Sequence, residues 1–347
     1  MDLQIALLLT QDGIVNGAIY ALLALALVLV FAVTRVIFIP QGEFVAFGAL
    51  TLASFQTAKV PGTLWLLIGM GVVISIVELV STSRRRGGRR RLTFALGWNL
   101  AYPAALAAVV LLARPGDWPL GLQVALALAL VVPLGPMIYR LVYQPLASAS
   151  VLVLLIVSVA VHLALVGLGL LFFGAEGSRT PAFSEASFAL GDVTVTGQTL
   201  WVIGASLLLI VGLYIFFERS LWGKALRATA INRVGAQLMG ISTTQAGKLC
   251  FLLAAAIGAM SGILVAPITT IYYDTGFLVG LKGFVAAIVG GMTSYPLAAA
   301  GAILVGLLES FSSFWASAFK EVIVFTLIIP VLLWRSMTTH HVEEEEE

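Results

Sequence analysis

The sequence predicts an all-α integral membrane protein, a polytopic helical bundle of about 9 to 11 membrane segments, some of them re-entrant candidates. Three observations predict it. The 347 residues are 60% hydrophobic and only 10% charged, with a mean hydropathy of +1.06, against roughly 25% charged in a soluble domain. Apolar runs of about 20 residues, long enough to cross a bilayer, recur from end to end. Lys and Arg fall unevenly among the loops between those runs, as they do where cytoplasmic loops collect positive charge. One domain, 1–347, is expected, with no sizeable soluble module.

In order, the apolar segments are 14–38, 41–58, 61–80, 92–113, 119–142, 150–173, 199–217, 249–271, 277–293, 296–315 and 320–336. The pieces 41–58 and 277–293 are short and bounded by Gly, which suits half-helices or re-entrant segments lining a cavity. The opening MDLQIALLLTQDG has acids in place of a basic leader and no small-residue cleavage site, so the first span is expected to be retained. If all segments cross, the N-terminus lies outside and the C-terminus is cytoplasmic. Arg35, the run Arg84, Arg85, Arg86, Arg89, Arg90 and Arg91, then Arg140, Arg219, Lys224, Arg227, Arg233, Lys248 and Arg335 all fall inside. Lys59, Arg114, Arg179, Lys282 and Lys320 remain outside or within a segment, and Asp2, Asp12, Asp117, Glu176, Glu185, Asp192 and Asp274 fall outside.

Several function classes drop out. No G-x-x-x-x-G-K-[ST] loop exists to cradle ATP phosphates, and no H-E-x-x-H. His162, His340 and His341 are the only histidines and Cys250 the only cysteine, which leaves neither a triad nor a metal cluster nor an internal disulfide. The chain is expected to be no enzyme, to bind no cofactor and no metal, and to have no nucleic-acid partner, its surroundings being membrane lipid. The loop 174–198 reads as a linker with a short strand or turn, or as a docking surface for an extracytoplasmic partner. The tail from His340 ends in five glutamates and is expected to be disordered.

Within the spans, Gly13, Gly17 and Ala21, continued by Ala24 and Ala32, form a small-residue stripe that lets helix backbones approach closely in lipid, and Gly258 and Gly262 mark a second seam. In IFIPQGEFVAFGAL, 37–50, Pro40 and Gly42 break one helix and start another, with Gln41 and Glu43 at the break. Orphan N–H groups of a helix start can hold a polar group at membrane depth, although Glu43 also suits a first-turn acid complementing the helix dipole. Glu78, His162 and Glu309 are ionisable residues in apolar segments. Glu78 and Glu309 lie near segment ends and are expected to reach water. His162 is expected to be satisfied inside the bundle, with Ser158 one turn earlier. Lys282 is expected to snorkel outward or to pair with Asp274.

The stretch 218–248 is the polar exception. Leu226, Ile231, Val234, Leu238 and Ile241 recur every three to five residues among Lys224, Arg227, Asn232, Arg233 and Gln237, an amphipathic helix or helix pair at the inner surface. Gly240 is a natural stop, and Ser242, Thr243 and Thr244 can cap the next helix.

Its core, AINRVGAQLMGI (230–241), resembles the coupling loop of LivH-type permeases, the branched-chain amino acid subfamily of ABC importers. Residues 16–49, the block from Gln144 and GLKGFVAAIVGG (280–291) resemble the opening, middle and late blocks of the same family in the same order. The resemblance implies a pore subunit in the bacterial inner membrane. Its partners would be a homologous LivM-like permease, two cytosolic ATPase subunits that carry the ATP, and a periplasmic solute-binding protein. It places Ala230, Asn232, Arg233, Ala236, Gly240 and Ile241 in the ATPase groove, and Gln41, Gly42 and Glu43 near the translocation pathway. Residues from about 70 to 135 look like an insertion adding two spans. The sequence departs from the family at Ile231, where a polar or acidic residue is usual, and at Phe38 and Pro40. The implied activity is ATP-driven alternating access for branched-chain amino acids or a related small polar solute such as an amide or urea. The rival reading is an ion- or proton-coupled secondary transporter resting on Glu43, His162, Asp274 or Glu309.

Overall fold

The structure is a computed structural model that describes residues 3–83, 89–190, 193–292 and 294–338. Asp2, Asp192, Arg84 to Arg86 and the tail from 339, including its histidines and glutamates, lie outside the described residues. In chain order the helices are α1 Leu3–Thr34, α2 Gln41–Gln56, α3 Gly62–Ser83, α4 Arg89–Leu112, α5 Leu120–Val131, α6 Leu134–Ile138 and α7 Val151–Phe173. A hairpin of β1 Ser187–Leu190 and β2 Val193–Thr196 comes next. The remaining helices are α8 Gly197–Arg219, α9 Leu221–Ile231, α10 Arg233–Leu238, α11 Thr243–Val265, α12 Thr275–Val289, α13 Tyr295–Trp315, α14 Lys320–Thr326 and α15 Ile328–Thr338. Among the described residues, 8 helical stretches are long and apolar enough to cross a membrane, and 99–112 and 275–289 are shorter apolar helices.

The expected segments are present, with their edges moved for identifiable reasons. The first helix begins at Leu3 rather than 14, and it stops at Arg35, whose φ of 60° puts the chain in the left-handed region. The segment 119–142 breaks at Pro133 and Pro136, each of which removes a backbone donor, and ends in a π turn over Tyr139–Tyr143. The segment 320–336 divides between α14 and α15, with Pro330 in the first turn of the latter. The helices at either end of the polar stretch extend into it: α8 carries Glu218 and Arg219, and α11 starts at Thr243.

The loop 174–198 contains the short strand pair, with Ser187 opposite Thr196 and Leu190 opposite Val193. It is tied to the turn after α11: Ser178 pairs with Ile271, Arg179 Nε donates to the Pro267 carbonyl at 2.9 Å, and Gln198 Nε2 to the Leu264 carbonyl at 2.9 Å.

The centre of the bundle is α1, buried almost continuously from Ile19 to Val30. Its small-residue stripe does what small residues do in lipid, where packing replaces the hydrophobic drive between helices. Gly13 lies against the Gly306 and Leu307 backbone of α13, and Gly17 against Ile303. On the other side of the core, Gly258 of α11 faces Gln41 and Phe44, and Gly262 meets the Val45 carbonyl of α2. Phe38, Tyr143 and Phe251 fill the space beneath, with ring centroids 4.7 to 5.9 Å apart.

A side chain at Gly262 would collide with backbone, which cannot rotate aside, so Gly262→Val is expected to cost at least about 3 kcal/mol and to lower the melting temperature of the purified protein. Gly69, on α3 with open space around it, is the control: Gly69→Ala is expected to be neutral or to stabilise by up to about 1 kcal/mol.

Candidate functional site: the α2 break and the α9–α10 tip

Between Arg35 and Gln41 the chain is non-helical yet buried, with Val36, Phe38 and Pro40 inside. The turn satisfies part of its own backbone: Gln41 N–H donates to the Phe38 carbonyl at 3.2 Å and Glu43 N–H to the Pro40 carbonyl at 3.1 Å. Pro40 precedes α2 without a side-chain cap. Gln41 is 0% exposed and donates from Nε2 to the Ala254 carbonyl of α11 at 2.9 Å, while its Oε1 is buried without a partner. Gly42 sits where no side chain fits, against Gly276 and Gly280 of α12. Glu43 is also 0% exposed; its Oε1 lies 2.8 Å from His162 Nδ1 of α7, and its Oε2 is buried without a partner. The His162 ring in turn lies 4.5 Å from the Phe277 ring of α12.

The three expected pathway residues are therefore brought together at a point where α2, α7, α11 and α12 converge. Glu43 is in the first turn of α2, as the dipole reading has it, and its carboxylate also reaches across to α7. His162 is satisfied inside the bundle as expected, by Glu43 and not by Ser158, which is engaged by Tyr143 at 3.0 Å. Taking a carboxylate out of water costs several kcal/mol unless a partner offsets it. A carboxylate with one oxygen paired and the other an orphan acceptor is a polar group held ready inside an apolar bundle.

Two expectations about the other ionisable residues are corrected. Glu78 and Glu309 are both buried rather than reaching water. Glu78 pairs with Arg140, which the π turn presents to α3. Lys282 does not pair with Asp274 or snorkel outward. It lies 5% exposed, with Nζ 2.5 Å from Glu309 Oε1 and 3.1 Å from Glu321 Oε1, and the Tyr20 hydroxyl donates to Glu309. The cluster joins α1, α12, α13 and α14. Its physical reason is the cost of an unpaired ammonium in hydrocarbon, which outweighs the reach to a surface too far from mid-helix.

The polar stretch folds as the expected helix pair. Ser220 caps α9 by accepting from Gly223 N–H at 2.8 Å, and Asn232 caps α10 by accepting from Gly235 N–H at 2.7 Å. Gly240, at φ 82°, makes the turn, and Ser242 caps α11 by accepting from Gln245 N–H at 3.3 Å. The expected coupling residues divide in two. Asn232 and Gly240 are exposed, whereas Ala236 is buried, and Ala230, Arg233 and Ile241 are half-buried. Arg233 Nη1 donates to the Ala147 carbonyl at 3.1 Å, which anchors the pair to the loop before α7. Beside Asn232 and Gln237, the exposed side carries four large apolar residues: Ile231 is 81% exposed and Leu238 and Met239 83% each, with Val234 between them. Sequence reasoning placed Ile231, Val234 and Leu238 on the apolar side of an amphipathic helix without assigning them to a partner. Their spacing carried the signal, but not its direction.

Eight helical stretches among the described residues that are long and apolar enough to span, half-length helices meeting at a buried polar break, and ion pairs held between helices define an integral membrane bundle with the parts of a permease. Residues 9–332 match the family described as branched-chain amino acid transport system / permease component, and the chain belongs to that family. It is 31% identical over 242 residues to the high-affinity branched-chain amino acid transport system permease protein BraD of Pseudomonas aeruginosa, covering 67% of this chain and 79% of that protein. It is 25% identical over 335 residues to the corresponding permease protein LivH of Escherichia coli, covering 93% and 91%. A probable branched-chain amino acid transport permease protein LivH of Methanocaldococcus jannaschii is 30% identical over 181 residues, covering 50% and 56%. No solved structure matches the chain.

Replacing Lys282 by Met leaves the buried Glu309 carboxylate without its ammonium and beside the half-buried Glu321, and the expected loss is about 3 to 5 kcal/mol, read as a lower thermal midpoint of the purified protein. The double change Lys282→Met with Glu309→Gln is expected to recover part of that loss, because it removes the uncompensated charge. An unchanged midpoint in Lys282→Met would show that the cluster carries no stability.

Proposed function

We propose that this chain is the pore subunit of an ABC importer of the bacterial inner membrane that moves branched-chain amino acids by ATP-driven alternating access. The observation that carries the reading is the α9–α10 tip. A rigidly capped, backbone-anchored helix pair presents Ile231, Val234, Leu238 and Met239 outward on the side where Lys and Arg concentrate, and an unburied apolar knob of this kind calls for a protein groove. Two cytosolic ATPase subunits fit that need, one on this chain and one on a homologous LivM-like permease, since the sequence has no phosphate-binding loop of its own. ATP belongs to those partners, and a periplasmic solute-binding protein would deliver substrate near the 174–198 loop. The relatives' names supply the substrate class, with amides or urea as related solutes. The Lys and Arg distribution supports an outside N-terminus and a cytoplasmic C-terminus. The stretch 70–135 would be an insertion of two spans that leaves sidedness unchanged.

Within the pore, the α2 break is the pathway element of this reading. Gly42 is closed off by α12, with Gln41 held by α11 and Glu43 by α7 on either side of it, and in this reading movement of α12 away from Gly42 opens the break.

Ile231→Asp with Leu238→Asp is expected to abolish copurification of the ATPase subunits and to reduce leucine uptake by at least about tenfold, the equivalent of 1.4 kcal/mol, while the permease still inserts. Uptake that continues after ATP depletion with ion gradients intact would replace this reading by the ion-coupled one.

A further inference from the structure

A groove of about 700 Å³ runs along the outside of the bundle between α1, α8, α9 and the start of α13. Its depth is apolar, lined by Leu25, Leu29, Leu213 and Ala299, and its mouth carries Arg35, Arg227 and Glu218. We propose that this groove is a binding site for one anionic phospholipid, with an acyl chain between α1 and α8 and the phosphate on the Arg35 and Arg227 guanidiniums.

The dimensions fit a single leaflet. Arg35 lies just past the end of α1 and Leu25 ten residues earlier, a rise of about 15 Å. Glu218 near the end of α8 and Ile210, also in the lining, are separated by about 12 Å along that helix. Half of a hydrocarbon core of about 30 Å is the same length. The groove therefore starts at the interface and ends near the midplane, the reach of a lipid tail. A protein helix crossing the membrane would continue past that point.

The charges fit the headgroup. Arg35 is exposed, its guanidinium lies 6.0 Å from the centre of the Phe31 ring, and among the described residues no carboxylate lies within ion-pair distance of it. Arg227 gives one arm to Glu218 at 3.1 Å and another to the Phe217 carbonyl at 2.5 Å, which fixes the guanidinium at the mouth with donors to spare. Two guanidiniums against one carboxylate leave a net positive mouth, and a planar fork matches phosphate oxygens. Basic pockets between spans at the membrane surface select anionic lipid by the same electrostatics. The bound tail would complete the packing beneath α9, whose Leu226 and Ala230 face the groove.

The inference rests on membrane placement and not on the transport reading, so it is tested without substrate. The full chain, with whatever subunits accompany it, is reconstituted in phosphatidylcholine bilayers containing a minor fraction of phosphatidylglycerol, extracted in mild detergent, and its retained lipids are counted by native mass spectrometry. Phosphatidylglycerol is expected to be enriched about fivefold over its bulk ratio. Arg35→Asn, which suits the left-handed backbone there, is expected to remove the enrichment, and Arg35→Lys to keep most of it. Ala299→Phe, which fills the groove, is expected to lower retention of both lipids. Retention at the bulk ratio by the native protein, or enrichment that survives Arg35→Asn, overturns the proposal. So does a cross-link from Ala299→Cys to another protein subunit, since a polypeptide would then occupy the groove.

Discussion

The bundle depends on close backbone approach at a few glycines. In lipid the apolar surface of a helix is as well solvated as it would be against another helix, so association comes from packing and from polar contacts that need short distances. At Gly42 the approach is two-sided: α2 presents no side chain to α12, and Gly276 and Gly280 present none back. The same device joins α1 to α13 at Gly17 and α11 to α2 at Gly258 and Gly262. Once these seams are fixed, the short polar side chains beside them are within reach of one another. Gln41 meets the Ala254 carbonyl because Gly258, one turn on, lets α11 come close.

Close packing also explains how so many ionisable groups are tolerated. Glu43, Glu78, Lys282 and Glu309 are each nearly or wholly enclosed; Glu78, Lys282 and Glu309 have their charges answered from a different helical element, and Glu43 is hydrogen-bonded with His162 of α7. The groups differ in setting. In the Lys282 cluster, Glu309 receives both an ammonium and the Tyr20 hydroxyl, while Glu321, only partly buried, accepts from the ammonium through one oxygen and leaves the other without a partner. At the α2 break, an oxygen of Glu43 and an oxygen of Gln41 are left over on two residues that are wholly enclosed. Leftover acceptors beside a helix break are what a passing polar solute could use.

Much of this was legible in the sequence, and the rest was lost for physical reasons. The Gly13–Gly17 stripe, the Pro40 break, the Gly240 stop and the Ser242 cap are local patterns, readable because each rests on neighbours in the chain. Lys282 was misassigned because its partners stand 27 and 39 residues away on other helices, while Asp274 is merely near in sequence. Glu78 and Glu309 looked terminal because the hydropathy of a segment does not say which helix covers its end. Ile231 looked like a departure from the family pattern, yet its exposure makes it part of the tip. Periodicity shows that one side of a helix is apolar, and only the fold shows whether that side is turned in or out.

Under the proposed function, one helix joins the tip to the break. α10 ends at Leu238 and, after the turn through Gly240, α11 begins at Thr243 and runs unbroken to Val265. Its Ala254 carbonyl, about 16 Å along the axis from Thr243, receives the Gln41 amide, and its Gly258 and Gly262 carry the α2 seam. The tip is not a loose arm: Arg233 fixes it to Ala147, and Leu226 buries α9 against the bundle. A force applied at Leu238 and Met239 would reach α11 through the short Gly240 turn, which the Arg233 contact holds against the bundle. The helix it moves holds Gln41, whose neighbour Gly42 closes the break against α12. Coupling of this kind needs no chain of small side-chain shifts. It needs a stiff helix between the tip and a contact that can take a second arrangement, and the Gly42 seam against α12 is the contact that α11 neighbours through Gln41.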